Sequence, residues 1–257
     1  MSTTLKIAVQ LAALSYKNPE VVMKMYENKE TNLLKDCIQA PEYIYDPVSD
    51  AQLYLFETET IMYIAIRGTN SLIDVFQDLQ IGLTDIQVGE KTCKVHEGAY
   101  RQFMALNAKM EEPVFKKLKE NTKTIIFCSH SLGAMVSALF AVNICDQFSK
   151  RVEVYCFGCP RVGDKSFVNI FQELITKTTN VKNGCDPLTK IMIGNDYCAL
   201  PVTNYGRLDL FPKYVIMTDL PDHDIVKYVQ TVLADDLTAQ PNFWQSLIIK
   251  AQGILPF

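Results

Sequence analysis

Residues 125–135 read Ile-Ile-Phe-Cys-Ser-His-Ser-Leu-Gly-Ala-Met, and this stretch decides the fold. The apolar run over residues 124–128 predicts a buried strand, and the apolar positions after Gly133 recur with the period of a helix. Ser131 therefore falls on a strand-to-helix corner. A serine at such a corner projects its hydroxyl above the edge of the sheet, while the first amides of the helix point outward.

The corner also has the spacing of a catalytic nucleophile. Ser129-x-Ser131-x-Gly133 matches the Gly-x-Ser-x-Gly pattern of a nucleophile elbow, with serine in place of the first glycine. Both flanking positions must be small, because they lie close to the backbone on either side of the turn. The pattern favours Ser131 as a nucleophile and the Leu132 amide as half of an oxyanion hole. A plain helix start capped by Ser129 or Ser131 is the alternative.

The bulk composition indicates a globular protein and excludes several other classes. A chain of 257 residues can bury one large core, so residues 1–257 are predicted to form one domain. The formal net charge of −4 and the lack of a lysine and arginine cluster argue against a nucleic-acid partner. The short apolar stretch near the N-terminus fits a first helix better than a signal peptide. We expect no transmembrane segment and a cytoplasmic location.

The eight cysteines are predicted to be reduced thiols in the core rather than a disulfide framework. Cys128 and Cys156 fall in apolar, strand-like runs, and a chain of this size needs no cross-links to fold. Cys156 and Cys159 have the spacing of a redox or zinc half-site, but no second pair with ligand spacing follows them. We therefore predict neither a metal nor another cofactor.

Polar turns after two further predicted strands could complete a site. A central strand over residues 60–67 leads into Gly68, which permits close backbone approach, and Thr69, which could donate its amide and hydroxyl to an oxyanion. Asp186 follows a probable strand, and Pro187 biases it toward an extended conformation at the strand's carboxyl end. Each turn also has an ordinary interpretation: the turn at Thr69 as a helix cap, and the turn at Asp186 as an Asp-Pro turn.

Residues 71–79 predict a short amphipathic helix beside this site. Leu72, Val75 and Phe76 share one apolar face. The face either packs permanently on the core or belongs to a lid that exposes it to an apolar substrate, and both alternatives stay open.

Other patterns predict the remaining elements. Two helices occupy residues 5–27 with a break at Pro19, and one helix runs from about residue 97 to Glu120 after an irregular segment. Residues 214–218 predict a late strand, and a helix starts near Ile225.

Four motifs make the chain resemble the class 3 lipases, a branch of the α/β-hydrolase superfamily. Their order and intervals fit the family over a region from the first helix to about Tyr228. The resemblance implies an α/β-hydrolase domain whose mixed, mostly parallel central sheet is flanked by helices. The motifs are Ile-Arg-Gly-Thr at 66–69 with Asp-Leu at 78–79, Val-His-Glu-Gly-Ala-Tyr at 95–100, Ser-His-Ser-Leu-Gly at 129–133, and Phe-Gly-Cys-Pro-Arg-Val-Gly-Asp at 157–164.

The resemblance also implies a role for particular residues. It makes Ser131 the nucleophile, Asp186 the acid that orients the base, and His223 the base, in the chain order of α/β-hydrolases. Thr69 matches the family's oxyanion-hole position, and residues 70–80 match the place where fungal members carry a lid. His96 and His130 match positions that are structural in the family.

The activity implied is hydrolysis of lipid esters, as in an acylglycerol lipase, through an acyl-enzyme and at a lipid–water interface. A phospholipase with the same mechanism and a catalytically silent descendant that serves as a lipid-binding or scaffold protein are the alternatives. Ser129, the short interval between Asp186 and His223, and the lack of a signal peptide or evident disulfide set favour an intracellular or virus-encoded relative.

Overall fold

The architecture is a central sheet covered by helices on both faces. The computed structural model describes residues 2–69, 82–110, 113–120, 123–184, 186–189, 196–201, 203–204 and 222–233. Its strands are β1 (Glu42–Asp46), β2 (Ala51–Glu57), β3 (Ile61–Ile66), β4 (Leu83–Val88), β5 (Lys91–His96), β6 (Thr124–His130), β7 (Val152–Phe157), β8 (Lys177–Lys182) and β9 (Thr203–Asn204). Its helices are α1 (Thr3–Leu14), α2 (Pro19–Glu27), α3 (Asn32–Asp36), α4 (Glu97–Met110), α5 (Pro113–Glu120), α6 (Leu132–Phe148), α7 (Lys165–Leu174) and α8 (Ile225–Leu233).

The main sheet has the strand order β1-β2-β3-β6-β7-β8-β9, and β4 pairs with β5 in a separate two-stranded sheet. β1, β2 and β3 are antiparallel neighbours, whereas β3, β6, β7, β8 and β9 run parallel. β6 and β7 are almost wholly buried, which explains why their sequences are continuous apolar runs. The carboxyl ends of the parallel strands meet at one edge, and the loops that leave this edge carry the site.

Each face of the sheet has its own apolar core. One core joins the sheet to α4, α6 and α7, and the other joins it to α1, α2, α3 and α8. The elbow helix α6 is buried on nearly all sides, because it packs against β6 and β7 as well as against α4 and α7. Phe140 of α6 meets Phe103 of α4 edge to face, with ring centroids 4.7 Å apart. Such a pair adds about 0.5–1.5 kcal/mol to the free energy of burial.

Several sequence predictions are confirmed. The sheet is mixed and mostly parallel, Pro19 opens α2 after a break from α1, and α6 follows β6 directly at Ser131. The predicted late helix is α8, which begins at Ile225. None of the helices in the described segments is both long and apolar enough to cross a bilayer.

The prediction for the region before the elbow is wrong in two respects. Two helices, α4 and α5, replace the single helix that was expected to reach Glu120. Pro113 is the first residue of α5, and proline is tolerated in a first helical turn because its missing amide hydrogen has no partner there. The segment expected to be irregular forms the β4–β5 hairpin. Most residues of the hairpin are exposed or only partly buried, so its sequence has few apolar positions that would indicate strands. The strand predicted over residues 214–218 lies outside the described residues.

Candidate active site

The backbone at Ser131 has the conformation of a nucleophile elbow. Its φ is 57° and its ψ is −132°, a combination that residues with side chains seldom adopt. The Ser131 amide donates to the Phe157 carbonyl at the end of β7, at 3.0 Å. The neighbouring strand thus holds the corner in a conformation that the isolated chain would avoid.

The end of β3 packs directly against this corner. A Cβ atom on Gly68 would lie 2.7 Å from the His130 carbonyl oxygen and 3.0 Å from Ser131 Cβ, and it would also collide with the Tyr16 hydroxyl. Only glycine permits this approach. Thr69 therefore follows a residue that touches the elbow, and Leu132 is the first residue of α6, where helical amides have no partner within the helix. Leu132 thus adjoins Ser131 along the backbone, and Thr69 follows the glycine that lies across this contact.

Ser129, the departure from the elbow pattern, has a structural explanation. Its hydroxyl accepts a hydrogen bond from the Ile66 amide at 3.1 Å and shares a second one with the Ser137 hydroxyl at 2.5 Å. The side chain is fully buried. Serine at this position therefore joins β3, β6 and α6, which a glycine could not do through a side chain.

The predicted nucleophile, base and acid lie in one hydrogen-bonded row. His223 Nε2 is 2.8 Å from Ser131 Oγ, and His223 Nδ1 is 2.9 Å from Asp186 Oδ2. A carboxylate accepts hydrogen bonds, so Nδ1 carries the proton and Nε2 accepts from the Ser131 hydroxyl. All three residues are at most 1% exposed. This arrangement can take the hydroxyl proton from a serine as its oxygen attacks an electrophile.

Asp186 has further partners that hold its carboxylate. Tyr228 donates its hydroxyl to Asp186 Oδ2, and the Leu188 amide donates to Oδ1 at 2.9 Å. Burial, and secondly the negative charge of Asp186, raise the pKa of Tyr228 well above its usual value. The phenol therefore keeps its proton and remains a donor. Tyr228 was not singled out in the sequence, because it lies at an apolar position of α8 and looks like an ordinary core aromatic.

His130 holds the backbone of the base. Its Nε2 is 2.7 Å from the His223 carbonyl oxygen, and its Nδ1 is 2.9 Å from the Tyr16 hydroxyl. A carbonyl can only accept, so Nε2 carries the proton and Nδ1 accepts from Tyr16. Burial, and secondly His223, lower the pKa of His130 well below its usual value, which keeps the ring neutral. The resemblance implied a structural role for His130, and these contacts define that role.

His96 has a different structural task. Its Nδ1 accepts a hydrogen bond from the Ala99 amide at 3.1 Å, at the start of α4. This is the contact of a helix cap.

The end of β7 lies beneath the row at Gly158. Its φ is 59°, and a Cβ atom there would lie 2.8 Å from Asp186 Oδ2, 2.9 Å from the Tyr228 hydroxyl and 3.0 Å from His223 Nδ1. Both the backbone and the space therefore require glycine. The turn after β7 thus helps to set the distance between the acid and the base.

The part of the chain that the structure describes offers free thiols but no cluster of metal ligands. Its seven cysteines are free thiols, and burial raises the pKa of Cys159 well above its usual value. Over the same residues, histidine, cysteine and acidic side chains form no group of three or more that could hold a metal ion. The candidate lid residues Leu72, Val75 and Phe76 lie outside the described part of the chain.

Comparisons with known proteins agree with this geometry. The sequence model of the lipase (class 3) family matches residues 63–195, which is more than half of the chain. The chain is 25% identical over 146 residues to phospholipase A(1) DAD1 of Arabidopsis thaliana, covering 50% of this chain and 33% of the relative. It is 25% identical over 138 residues to the secreted mono- and diacylglycerol lipase LIP4 of Malassezia restricta, covering 50% of this chain and 46% of the relative.

A likeness in three dimensions extends further along the chain. The lipase from Rhizopus microsporus var. chinensis superposes with a TM-score of 0.63 at 18% identity, over 82% of this chain and 77% of that one. The predicted α/β fold is thereby confirmed. The chain spans less than half the length of the curated relatives that it matches.

Proposed function

Because the chain belongs to the class 3 lipase family, we propose that it is a serine hydrolase that cleaves carboxylic esters of lipids. The observation that carries the proposal is the row Ser131–His223–Asp186, with contacts of 2.8 Å and 2.9 Å. A buried hydroxyl, imidazole and carboxylate in this order form the arrangement that activates serine nucleophiles on unrelated folds.

In the first step, Ser131 Oγ forms a bond to the ester carbonyl carbon. His223 Nε2 takes the hydroxyl proton, and Asp186 stabilises the imidazolium through the hydrogen bond from Nδ1. The carbonyl electron pair moves onto oxygen, and the amides of Leu132 and Thr69 donate to this oxyanion. One such donor is typically worth about 3–4 kcal/mol of barrier.

In the second step, the carbon–oxygen bond to the alcohol breaks. His223 Nε2 returns its proton to the leaving alcohol, which leaves an acyl group on Ser131 Oγ. Water then attacks the acyl carbon while His223 accepts a proton from it, and release of the fatty acid returns the proton to Ser131. The mechanism requires neither a metal nor an organic cofactor.

The proposed substrate is an acylglycerol, met at a lipid–water interface. The apolar side chains of Leu72, Val75 and Phe76 would contact the acyl chain if residues 70–80 act as a lid. The match to a mono- and diacylglycerol lipase supports this choice. The match to a phospholipase A(1) favours a phospholipid as the second candidate. One domain over the whole chain and a cytoplasmic location stay predictions.

A substrate panel tests the proposal. Purified protein is assayed on emulsified triacylglycerol, diacylglycerol and monoacylglycerol, on phosphatidylcholine vesicles, and on a soluble p-nitrophenyl ester, with Ser131→Ala as the matched control. We expect acylglycerol turnover that the control loses. If fatty acid is released preferentially from the vesicles, the substrate is a phospholipid rather than an acylglycerol. Lack of turnover on every ester, or equal turnover by the control, would overturn the proposed chemistry.

A further inference from the structure

Asn183 contacts the segments that carry Asp186 and His223, although it touches none of the reacting atoms. It follows the last residue of β8 and is buried. Its side-chain nitrogen donates to the Asp222 carbonyl at 3.1 Å, and its side-chain oxygen accepts from the Thr231 hydroxyl at 2.8 Å. One buried amide therefore links the end of β8 to the loop that carries His223 and to α8.

The backbone of Asn183 reaches the acid as well. Its carbonyl accepts from the Asp186 amide at 3.0 Å, which closes a turn over the three-residue spacing between the two residues. The segment of the acid is thus tied to the same asparagine whose side chain contacts Asp222 and Thr231. The hydrogen bonds of Asn183 thus reach the segment of the acid, the segment of the base, and α8.

Two consecutive carbonyls in the loop of the base are held from different strands. The Asp222 carbonyl receives the Asn183 side chain from the end of β8, and the His223 carbonyl receives the His130 ring from the end of β6. These two contacts fix the backbone from which the imidazole projects. The distances from that ring to Ser131 and to Asp186 depend on this backbone, since the side chain adds only two rotatable bonds.

The two contacts use the two ends of one side-chain amide. Its nitrogen donates to a carbonyl, while its oxygen accepts from a hydroxyl. Aspartate would keep the acceptor for Thr231 but would present an oxygen to the Asp222 carbonyl, so that the link to the base becomes a repulsion. Asn183→Asp therefore breaks one link with almost no change in side-chain shape, and Thr231→Val breaks the other.

We propose that Asn183 is a positioning residue that sets the His223 imidazole relative to Asp186 and Ser131 by holding the Asp222 carbonyl. The inference rests on the proposed hydrolase function of the same row. A displacement of about 1 Å in a catalytic group can lower the rate by about 10²-fold. The effect belongs in kcat, because Asn183 lies behind the acid and base rather than at the Ser131 hydroxyl.

The test compares Asn183→Asp, Asn183→Ala and Thr231→Val with the wild type on a soluble p-nitrophenyl ester. We expect both Asn183 variants to lose roughly 10- to 100-fold in kcat with KM changed by no more than about twofold. The rate at which a fluorophosphonate labels Ser131 should fall by the same factor, because it depends on the same activation. Thr231→Val should keep kcat within about threefold, since it leaves the link between Asn183 and Asp222 intact.

Melting temperatures of all three variants separate positioning from anchoring of α8. Equal kcat losses in Thr231→Val and Asn183→Asp would overturn the inference, as would a loss expressed in KM, or kcat near the wild-type value in both Asn183 variants. If the alanine variant does not fold, the nearly isosteric aspartate variant decides the question. If the wild type itself neither hydrolyses esters nor reacts with the fluorophosphonate, the proposed function fails, whereas an active wild type with unaffected Asn183 variants rejects positioning alone.

Discussion

The two ends of the central strands hold buried carboxylates in different surroundings. At the amino ends of β3 and β6, Glu57 lies 2.7 Å from Lys123 Nζ and 2.6 Å from the side-chain nitrogen of Gln39. At the carboxyl ends, the described partners of Asp186 are the ring of His223, the Tyr228 hydroxyl and a backbone amide. Glu57 is 8% exposed and Asp186 is 0% exposed.

This difference predicts that Glu57 contributes to folding stability and Asp186 to the proposed reaction. Glu57 meets a full positive charge in the ground state, so its interaction is already complete and can contribute only to folding. In the proposed mechanism, by contrast, the charge of Asp186 is stabilised further when His223 accepts a proton. An interaction that strengthens along the reaction lowers the barrier, whereas one of constant strength does not.

The largest expected effect comes from replacing the carboxylate at the site. Asp186→Asn keeps the shape of the side chain but presents an amide to His223 Nδ1, which favours the wrong tautomer of the ring. We expect kcat on a soluble ester to fall by about 10⁴-fold, with a cooperative melting transition retained. A loss of less than tenfold would erase the distinction between the two ends of the sheet.

The next effect concerns the glycine beneath the row. Gly158→Ala introduces a Cβ atom 2.8 Å from Asp186 Oδ2 and should lower kcat by about 10²-fold, since the acid and base must move apart. The matched control is Gly89→Ala, where φ is +55° but the nearest atom, Asp146 Oδ1, is 3.4 Å away. Both variants carry a similar backbone penalty of about 1–2 kcal/mol in the free energy of unfolding. Equal activities in the two variants would contradict the proposed constraint.

A smaller effect follows from the buried neutral ring of His130. Its pKa in the folded protein is lowered, so below about pH 6.5 the unfolded chain binds a proton that the folded protein does not. Stability from this group is fully present above that pH and is lost as the pH falls toward the lowered folded-state pKa. Between about pH 6.5 and pH 5.5 the loss amounts to roughly 1 kcal/mol.

Urea unfolding at the two pH values measures this effect, with His130→Gln as the control because glutamine does not titrate. The free energy of unfolding of the wild type should fall by roughly 1 kcal/mol more than that of the variant. An identical pH dependence in the two proteins would mean that His130 is not the group responsible.

The smallest effect on activity is expected at the opposite end of the sheet. Glu57→Gln removes the charge that faces Lys123 and should lower the free energy of unfolding by about 1 kcal/mol, since the pair is only partly shielded from water. Ester hydrolysis should stay within about twofold of the wild type. An activity loss comparable to that of Asp186→Asn would show that this end also takes part in the chemistry.

The strand-to-helix corner at Ser131 could be predicted from the sequence because its signals are local. An apolar strand, a corner of small residues and a helix lie within residues 124–148 and place the hydroxyl at the carboxyl edge of the sheet, while the Phe157 carbonyl of β7 holds the corner. Asp186 also had an ordinary interpretation as a turn residue, and the resemblance to a family was needed to assign both Asp186 and His223. Their contacts join residues far apart in the chain, which no local pattern records.

The contacts of the residues that support the row could not be predicted for the same reason, although the resemblance implied a structural role for His130. Tyr16 and His130 are separated by 114 positions, and Tyr228 has the apolar spacing of a core residue. Asparagine is a common turn residue, and the positioning role proposed for Asn183 depends on its contacts with Asp222 and Thr231. The β4–β5 hairpin was missed because few of its residues are buried, so hydrophobic alternation could not identify it.

The most direct test of the central claim is the rate at which a fluorophosphonate modifies Ser131, followed by intact mass and by peptide mapping, in the wild type and in His223→Gln. We predict one phosphonyl group per wild-type chain, located on the peptide that contains Ser131, and a rate about 10²- to 10⁴-fold lower in the variant. An unmodified Ser131 in the folded wild type, or equal rates in the two proteins, would contradict the account.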